Sequence, residues 1–202
     1  MAKKAVEILG DSVAEAEMTA RLGQQLRFRF DYLRQRKEGS TDGDRPLTSI
    51  VVVTHNQLAY TRMCLTSVRL FTRQPYEIVV VDNGSRDGSV TWLRGEKDLQ
   101  VIFNDENRGF PAASNQGLAA AAGSNIVLMN KDAVVTPGWL DQLLKALGND
   151  ARIGLVGPVT NHAGGPQQIT AEYDDLPALE SFAARWRLAS EGRLVDVERL
   201  IG

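Results

Sequence analysis

The chain has 202 residues, 43% hydrophobic and 24% charged, with a formal net charge of -2. That is enough chain to bury a sizeable core as one domain plus an appendage, and its near-neutral balance supplies no electrostatic footprint for nucleic acid. Cys64 is the only cysteine, which excludes an internal disulfide and points to a reducing compartment; no apolar run approaches the roughly 18 residues of a membrane span, and no apolar core follows Lys3 and Lys4 to make a secretory leader. The expected location is the cytoplasm.

Residues 1–44 form a first regime. Ser12 and Glu15 match a capping box, and Val13, Ala16, Ala20, Leu26, Phe30 and Leu33 recur at helical spacing. Arg21, Arg27, Arg29, Arg34, Arg36 and Lys37 fill the other faces, and the polar run Glu38–Asp44 reads as a linker. The expectation is an amphipathic helical segment that packs on its own domain, on another domain, or on a second copy. Its basic face is read first as a solvated helix face, with a peripheral place on an anionic inner membrane as the alternative.

The second regime, residues 45–202, alternates strand and helix. Thr48–Thr54 is a β-branched run of the kind buried in parallel sheets. A helix follows over 58–71, then a strand at Glu77–Val81, a short helix over 88–94, a strand at Leu99–Phe103, and a small-residue helix over 110–122. Asn125–Met129 is a fourth strand, followed by a helix from Trp139 to Leu147, a further strand at Ile153–Val159 and a helix at Leu176–Glu191. Short connections between alternating elements predict an α/β fold: a mostly parallel sheet sandwiched by helices, preceded by the N-terminal helical segment.

Each of the first four strands ends in polar side chains: Thr54, His55 and Asn56; Asp82, Asn83, Gly84 and Ser85; Asn104 to Arg108; Asn130 and Asp132. Parallel strands share a carboxyl end, and open α/β sheets bind ligands there. Neither glycine fingerprint for phosphate is present, so a metal ion would have to neutralise a bound phosphate. Hard divalent cations take oxygen ligands from one or two carboxylates plus substrate phosphates, which makes Asp132 the candidate ligand. His55, His162 in its Gly-rich loop, and Cys64 on a helix are read as structural.

Four blocks in order then carry a resemblance: S-I-V-V-V-T-H-N from Ser49, I-V-V-V-D-N-G-S-R-D-G-S from Ile78, N-R-G-F-P-A-A-S-N-Q-G from Asn107 and L-M-N-K-D-A-V-V-T-P-G-W-L from Leu128. Together they resemble the inverting glycosyltransferases of family two, with the GT-A fold, and within them the rhamnosyl and O-antigen branch. The resemblance implies that Thr54 and Asp82 hold the nucleoside, with Asn56 and Asn83 beside them. It places Asn107, Arg108, Gly109 and Asn115 by the base and diphosphate. Asn130-Lys131-Asp132 stands where the family has Asp-x-Asp. Asp132 is then the metal ligand, with Asn130 a neutral helper and Lys131 a candidate phosphate contact.

The implied cofactor is a divalent cation, Mg²⁺ or Mn²⁺. The implied partners are a UDP- or dTDP-sugar donor and a glycan, lipid-linked or protein acceptor, in surface polysaccharide or glycoconjugate synthesis. No acidic motif in 160–202 matches the family's general base; Asp174-Asp175 comes too early. The resemblance therefore places the base beyond Gly202, and the expectation is a chain truncated before the acceptor half, holding mainly the donor side. Two other readings stand beside it: a non-catalytic scaffold on the same fold, and a sugar nucleotidyltransferase. The second is disfavoured because His55-Asn56-Gln57-Leu58 stands where such enzymes carry a basic Gly-rich loop.

Overall fold

The structure, a computed structural model, describes residues 46–163 and 165–200. The predicted N-terminal helix and its linker lie outside them. Four strands, β1 (Thr48–Thr54), β2 (Tyr76–Asn83), β3 (Leu99–Asn104) and β4 (Asn125–Asn130), form one sheet in the order β3-β2-β1-β4. All neighbours are parallel, with Thr54 opposite Asp82, Asn83 opposite Asn104 and Val53 opposite Asn130. The helices are α1 (Leu58–Phe71), α2 (Ser89–Gly95), α3 (Phe110–Ala120), α4 (Trp139–Leu147) and α5 (Leu176–Ala189).

The two-residue period of the strands sorts the core. Ile50, Val52, Ile78, Val80 and Met129 point to one face, where they pack with Cys64, Leu65 and Val68 of α1 and Leu93 of α2. Val51 and Val81 point to the other, against Gly117 of α3. A β carbon at Gly117 would sit 2.3 Å from Val51 Cγ1 and 3.3 Å from Val81 Cγ2, so the small-residue face of α3 lets the helix approach the sheet closely. α3 does not extend over β4, where Ile126 and Leu128 stay 46% and 51% exposed.

A second cluster joins the C-terminal part to the sheet. Tyr173, Leu176 and Leu179 pack on Met63 of α1 and on Val134, just beyond β4. α5 starts where Asp175 accepts the Ala178 N–H at 2.7 Å, with a proline in its first turn.

The strand expected at Ile153–Val159 does not form. The segment carries Gly154, Gly157 and Pro158, which weaken or interrupt a ladder, and Leu155 is 74% exposed. Local pairing occurs one residue later, as an isolated bridge between Thr160 and Gln168. The expected helix over 110–122 also stops at Ala120, because Ala121 and Ala122 turn so that the Ala122 N–H reaches Glu77 at 2.7 Å.

Gly117→Ala should destabilise the chain by about 1–3 kcal/mol, as overpacking does, measured by urea denaturation. Ala119→Gly, at an exposed position of the same helix, should cost no more than about 1 kcal/mol through helix propensity.

Candidate functional site

The parallel register brings the four polar strand exits onto one rim. Reading across it gives Asn104 of β3, Asn83 and Asp82 of β2, Thr54 of β1 and Asn130 of β4. A mesh of side-chain bonds ties these exits together.

Asn83 is its hub on the β3 side. Its amide donates to Asn107 Oδ1 at 2.8 Å and to the Gly109 carbonyl at 3.3 Å, and its carbonyl oxygen accepts from Asn104 Nδ2 and the Arg108 N–H, each at 3.0 Å. Asn104 is held in turn by Gln116 of α3 through two bonds of 2.8 and 2.9 Å. Gly84 makes this closeness possible. Its φ is +80°, and a β carbon there would lie 2.6 Å from the Glu106 backbone carbon. Asn83 and Asn107, read from sequence as ligand contacts, thus brace the 104–109 loop. That loop presents Arg108, and α3 presents Asn115, as exposed side chains with no hydrogen bond or ion pair to the described residues.

The β1 exit is held from both sides. Asn56 and Gln57 adopt φ of 52° and 58°, a left-handed turn that asparagine tolerates better than most residues. The Asn56 N–H donates to Ser85 Oγ at 2.7 Å, and Asn56 Oδ1 accepts the Arg86 N–H at 2.8 Å. His55 Nδ1 lies 3.0 Å from the Asn83 carbonyl, which can only accept, so Nδ1 carries the proton and Nε2 accepts from Asn56 Nδ2 at 3.1 Å. From the β4 side, Lys131 Nζ donates to the carbonyls of His55 and Asn56, the latter at 3.1 Å. The ammonium expected from sequence at a phosphate is here a tie between two strand exits.

Asp87, not singled out from sequence, bonds two helix starts: its carboxylate accepts from the Leu58 N–H at 3.2 Å and the Ser89 N–H at 2.9 Å. Burial pushes this carboxyl up, but bonds from Ser89, Leu58 and Gln57 outweigh it and hold the group below its ordinary value. Its partner α1 begins 29 residues away, so no local signature could have shown the role.

Of the carboxylates at the strand exits, Asp82 and Asp132 are the two singled out from sequence. Asp82 is 1% exposed; its Oδ1 accepts the Ser85 N–H at 3.0 Å, while its Oδ2 is buried without a partner. Thr54, its neighbour in register, is fully buried and spends its hydroxyl on Thr61 of α1 at 2.6 Å. Asp132 is part-exposed in the turn after β4, and no hydrogen bond or ion pair to the described residues occupies its carboxylate. Its charge is felt by Cys64, whose thiol is pushed up to about 12, by burial first and by Asp132 second. Cys64 is therefore a neutral thiol and not a thiolate ligand.

The profile of the family described as Glycosyl transferase family 2 matches residues 49–191. The chain belongs to that family. Among curated relatives, it is 36% identical over 148 residues to the uncharacterized glycosyltransferase YwdF of Bacillus subtilis, covering 66% of this chain and 54% of that one. It is 27% identical over 118 residues to the glycosyltransferase AglE of Haloferax volcanii, covering 55% and 38%. Of solved structures, the mannosyltransferase PcManGT from Pyrobaculum calidifontis, in complex with GDP-Man and Mn²⁺, matches with 25% identity and a TM-score of 0.48 over 67% of this chain and 43% of its own. The matches to these three proteins thus span about half of their lengths or less.

A hard divalent cation could draw on only a small set of protein donors in this family 2 chain. Asp132 and Asn130 offer two oxygen-bearing side chains flanking Lys131, and among the described residues no group of three or more His, Cys, Asp and Glu could hold a metal. Such a site leaves most coordination positions to water and phosphate oxygens, as Mg²⁺ sites at nucleotides do.

Asn83→Ala should destabilise the chain by about 1–3 kcal/mol by stranding the Arg108 N–H and its neighbours, with amide exchange rising over 104–109. The Asp87 contribution is present above the ordinary aspartate value and is lost as pH falls through the depressed folded value. Thermal melts should therefore show acid destabilisation that is smaller in Asp87→Asn than in the parent.

Proposed function

We propose that this chain supplies the donor side of a glycosyltransferase that moves a sugar from a nucleotide-diphosphate donor to an acceptor hydroxyl, with inversion. The observation that carries the proposal is the pair of unspent carboxylates on one rim: the buried, partnerless Asp82 Oδ2 and the uncommitted Asp132. A buried acceptor without a donor costs about 1–3 kcal/mol, and a nucleoside supplies the missing donor from its base N–H or ribose hydroxyl. Because Oδ2 is shut off from solvent, the nucleoside reaches it only after the groups over it move aside.

Asp132, with Asn130 beside it, would hold the divalent cation, Mg²⁺ or Mn²⁺. That cation would neutralise the departing diphosphate. Lys131 holds the β1 exit against the β4 exit, so the nucleoside and phosphate ends of the donor keep a set separation. Arg108 and Asn115, both exposed, would meet the diphosphate or sugar. A UDP- or dTDP-sugar is the donor class we favour, with a glycan, lipid-linked or protein acceptor in surface polysaccharide or glycoconjugate synthesis and the cytoplasm as location. Inversion requires a general base at the acceptor hydroxyl. Among the described residues none is assigned that role. The 202-residue chain should accordingly bind donor while transferring sugar slowly.

Calorimetric titration of UDP and dTDP, with and without Mn²⁺, tests this. Binding should require the metal, vanish in Asp132→Ala, and weaken about tenfold or more in Asp82→Asn, the scale of one charge-assisted hydrogen bond. Metal-independent binding that survives Asp132→Ala would sink the metal role. No binding of either nucleotide would favour a scaffold that keeps the fold without its chemistry.

A further inference from the structure

We infer that Ser67 and Cys64, on the buried face of α1, are positioning residues that hold the Asn130–Val135 turn, and with it the Asp132 carboxylate, in place. The inference rests on the reading of Asp132 as the metal ligand. The turn leaves β4 with no further ladder to fix it; its own backbone bond runs from the Ala133 N–H to the Asn130 carbonyl at 3.1 Å. Two α1 side chains grip it on either side of Asp132. Cys64 Sγ lies 3.6 Å from the Asn130 carbonyl oxygen and 3.5 Å from Met129 Sδ. Ser67 Oγ accepts the Val135 N–H at 3.1 Å while donating to the Cys64 carbonyl at 2.8 Å.

The chemistry of these two side chains suits the task. Three residues apart on a helix, they share one face. Both are fully buried, so water does not compete for their bonds, and neither can touch a donor molecule itself. A hydroxyl is the smallest side chain that can donate to a carbonyl and accept from an amide at once. A mid-helix serine that only bonded back to its own helix would bring no benefit to it; the Val135 N–H is the partner that explains its presence in the core. Lys131, inside the turn, adds a third anchor on the carbonyls of His55 and Asn56. A carboxylate held between such anchors meets an incoming cation without first having to be ordered.

The test uses the full 202-residue chain and titrates Mn²⁺ in the presence of UDP. Ser67→Ala and Cys64→Ala should weaken Mn²⁺ about 10–100-fold, the range found when the partners of metal ligands are removed, and Cys64→Ser, which keeps a donor, should recover most of the loss. Ile78→Val, a core truncation in β2 with no bond to the turn, should lower the melting temperature and leave Mn²⁺ affinity unchanged. Without metal, amide exchange at Val135 should rise in Ser67→Ala and not in Ile78→Val. Equal loss of affinity in Ile78→Val and Ser67→Ala would overturn the positioning role, since stability alone would then explain it. So would wild-type affinity in Ser67→Ala while Asp132→Ala abolishes binding, a result that leaves the metal reading intact. Absence of Mn²⁺ binding in the unaltered chain would overturn both.

Discussion

β1 is enclosed by β2 on one side and β4 on the other, with α1 above and α3 below, and nearly every one of its side chains is shut off from water. The middle of the strand, Ile50 to Val53, is apolar throughout, and its polar residues fall at its two ends. The same holds for β2, whose middle is Ile78 to Val81. Because both strands run the same way in register, Thr54 and Asp82 arrive side by side at the same edge. The rim of this family 2 chain follows from that enclosure: burial along the strands and parallel pairing between them leave one edge for its chemistry.

On that edge most polar groups are spent on one another. Asn83, Asn104, Asn107 and Gln116 close a network on the β3 side, and Asn56, His55, Ser85 and Lys131 close another around the β1 exit. Satisfied networks of this kind rigidify what they join. Among the groups they leave over are Asp82 Oδ2 and the Asp132 carboxylate, with Arg108 exposed on the 104–109 loop. A rigid frame around a small number of uncommitted charges is what binding a charged ligand requires, because the ordering cost is then met during folding and not at the binding step.

Much of this was legible along the chain. The β-branched runs at Thr48–Thr54 and Glu77–Val81 called for buried parallel strands, and the structure has them, with β2 one residue longer at its start and two at its end. Helix starts and the small-residue face of α3 were equally readable, since propensity and spacing are local properties. Ile153–Val159 shows the limit of such reading. Its apolar residues look like a strand, but strand formation needs a partner edge, and glycines and a proline leave this segment exposed instead.

Residue types and their order, on their own, determined the α/β class, the convergence of polar strand exits, and the candidacy of Asp82 and Asp132, because each depends on spacing within a short stretch. What the tertiary structure decided was which of those polar groups are spent. Asn83 and Asn107 turned out to bond each other, Lys131 to bond the β1 exit, Thr54 to bond Thr61, and Asp87 to bond the start of α1, over separations of 7 to 76 residues. Hydrogen-bond partners at that distance are set by packing and register, which no window of sequence contains.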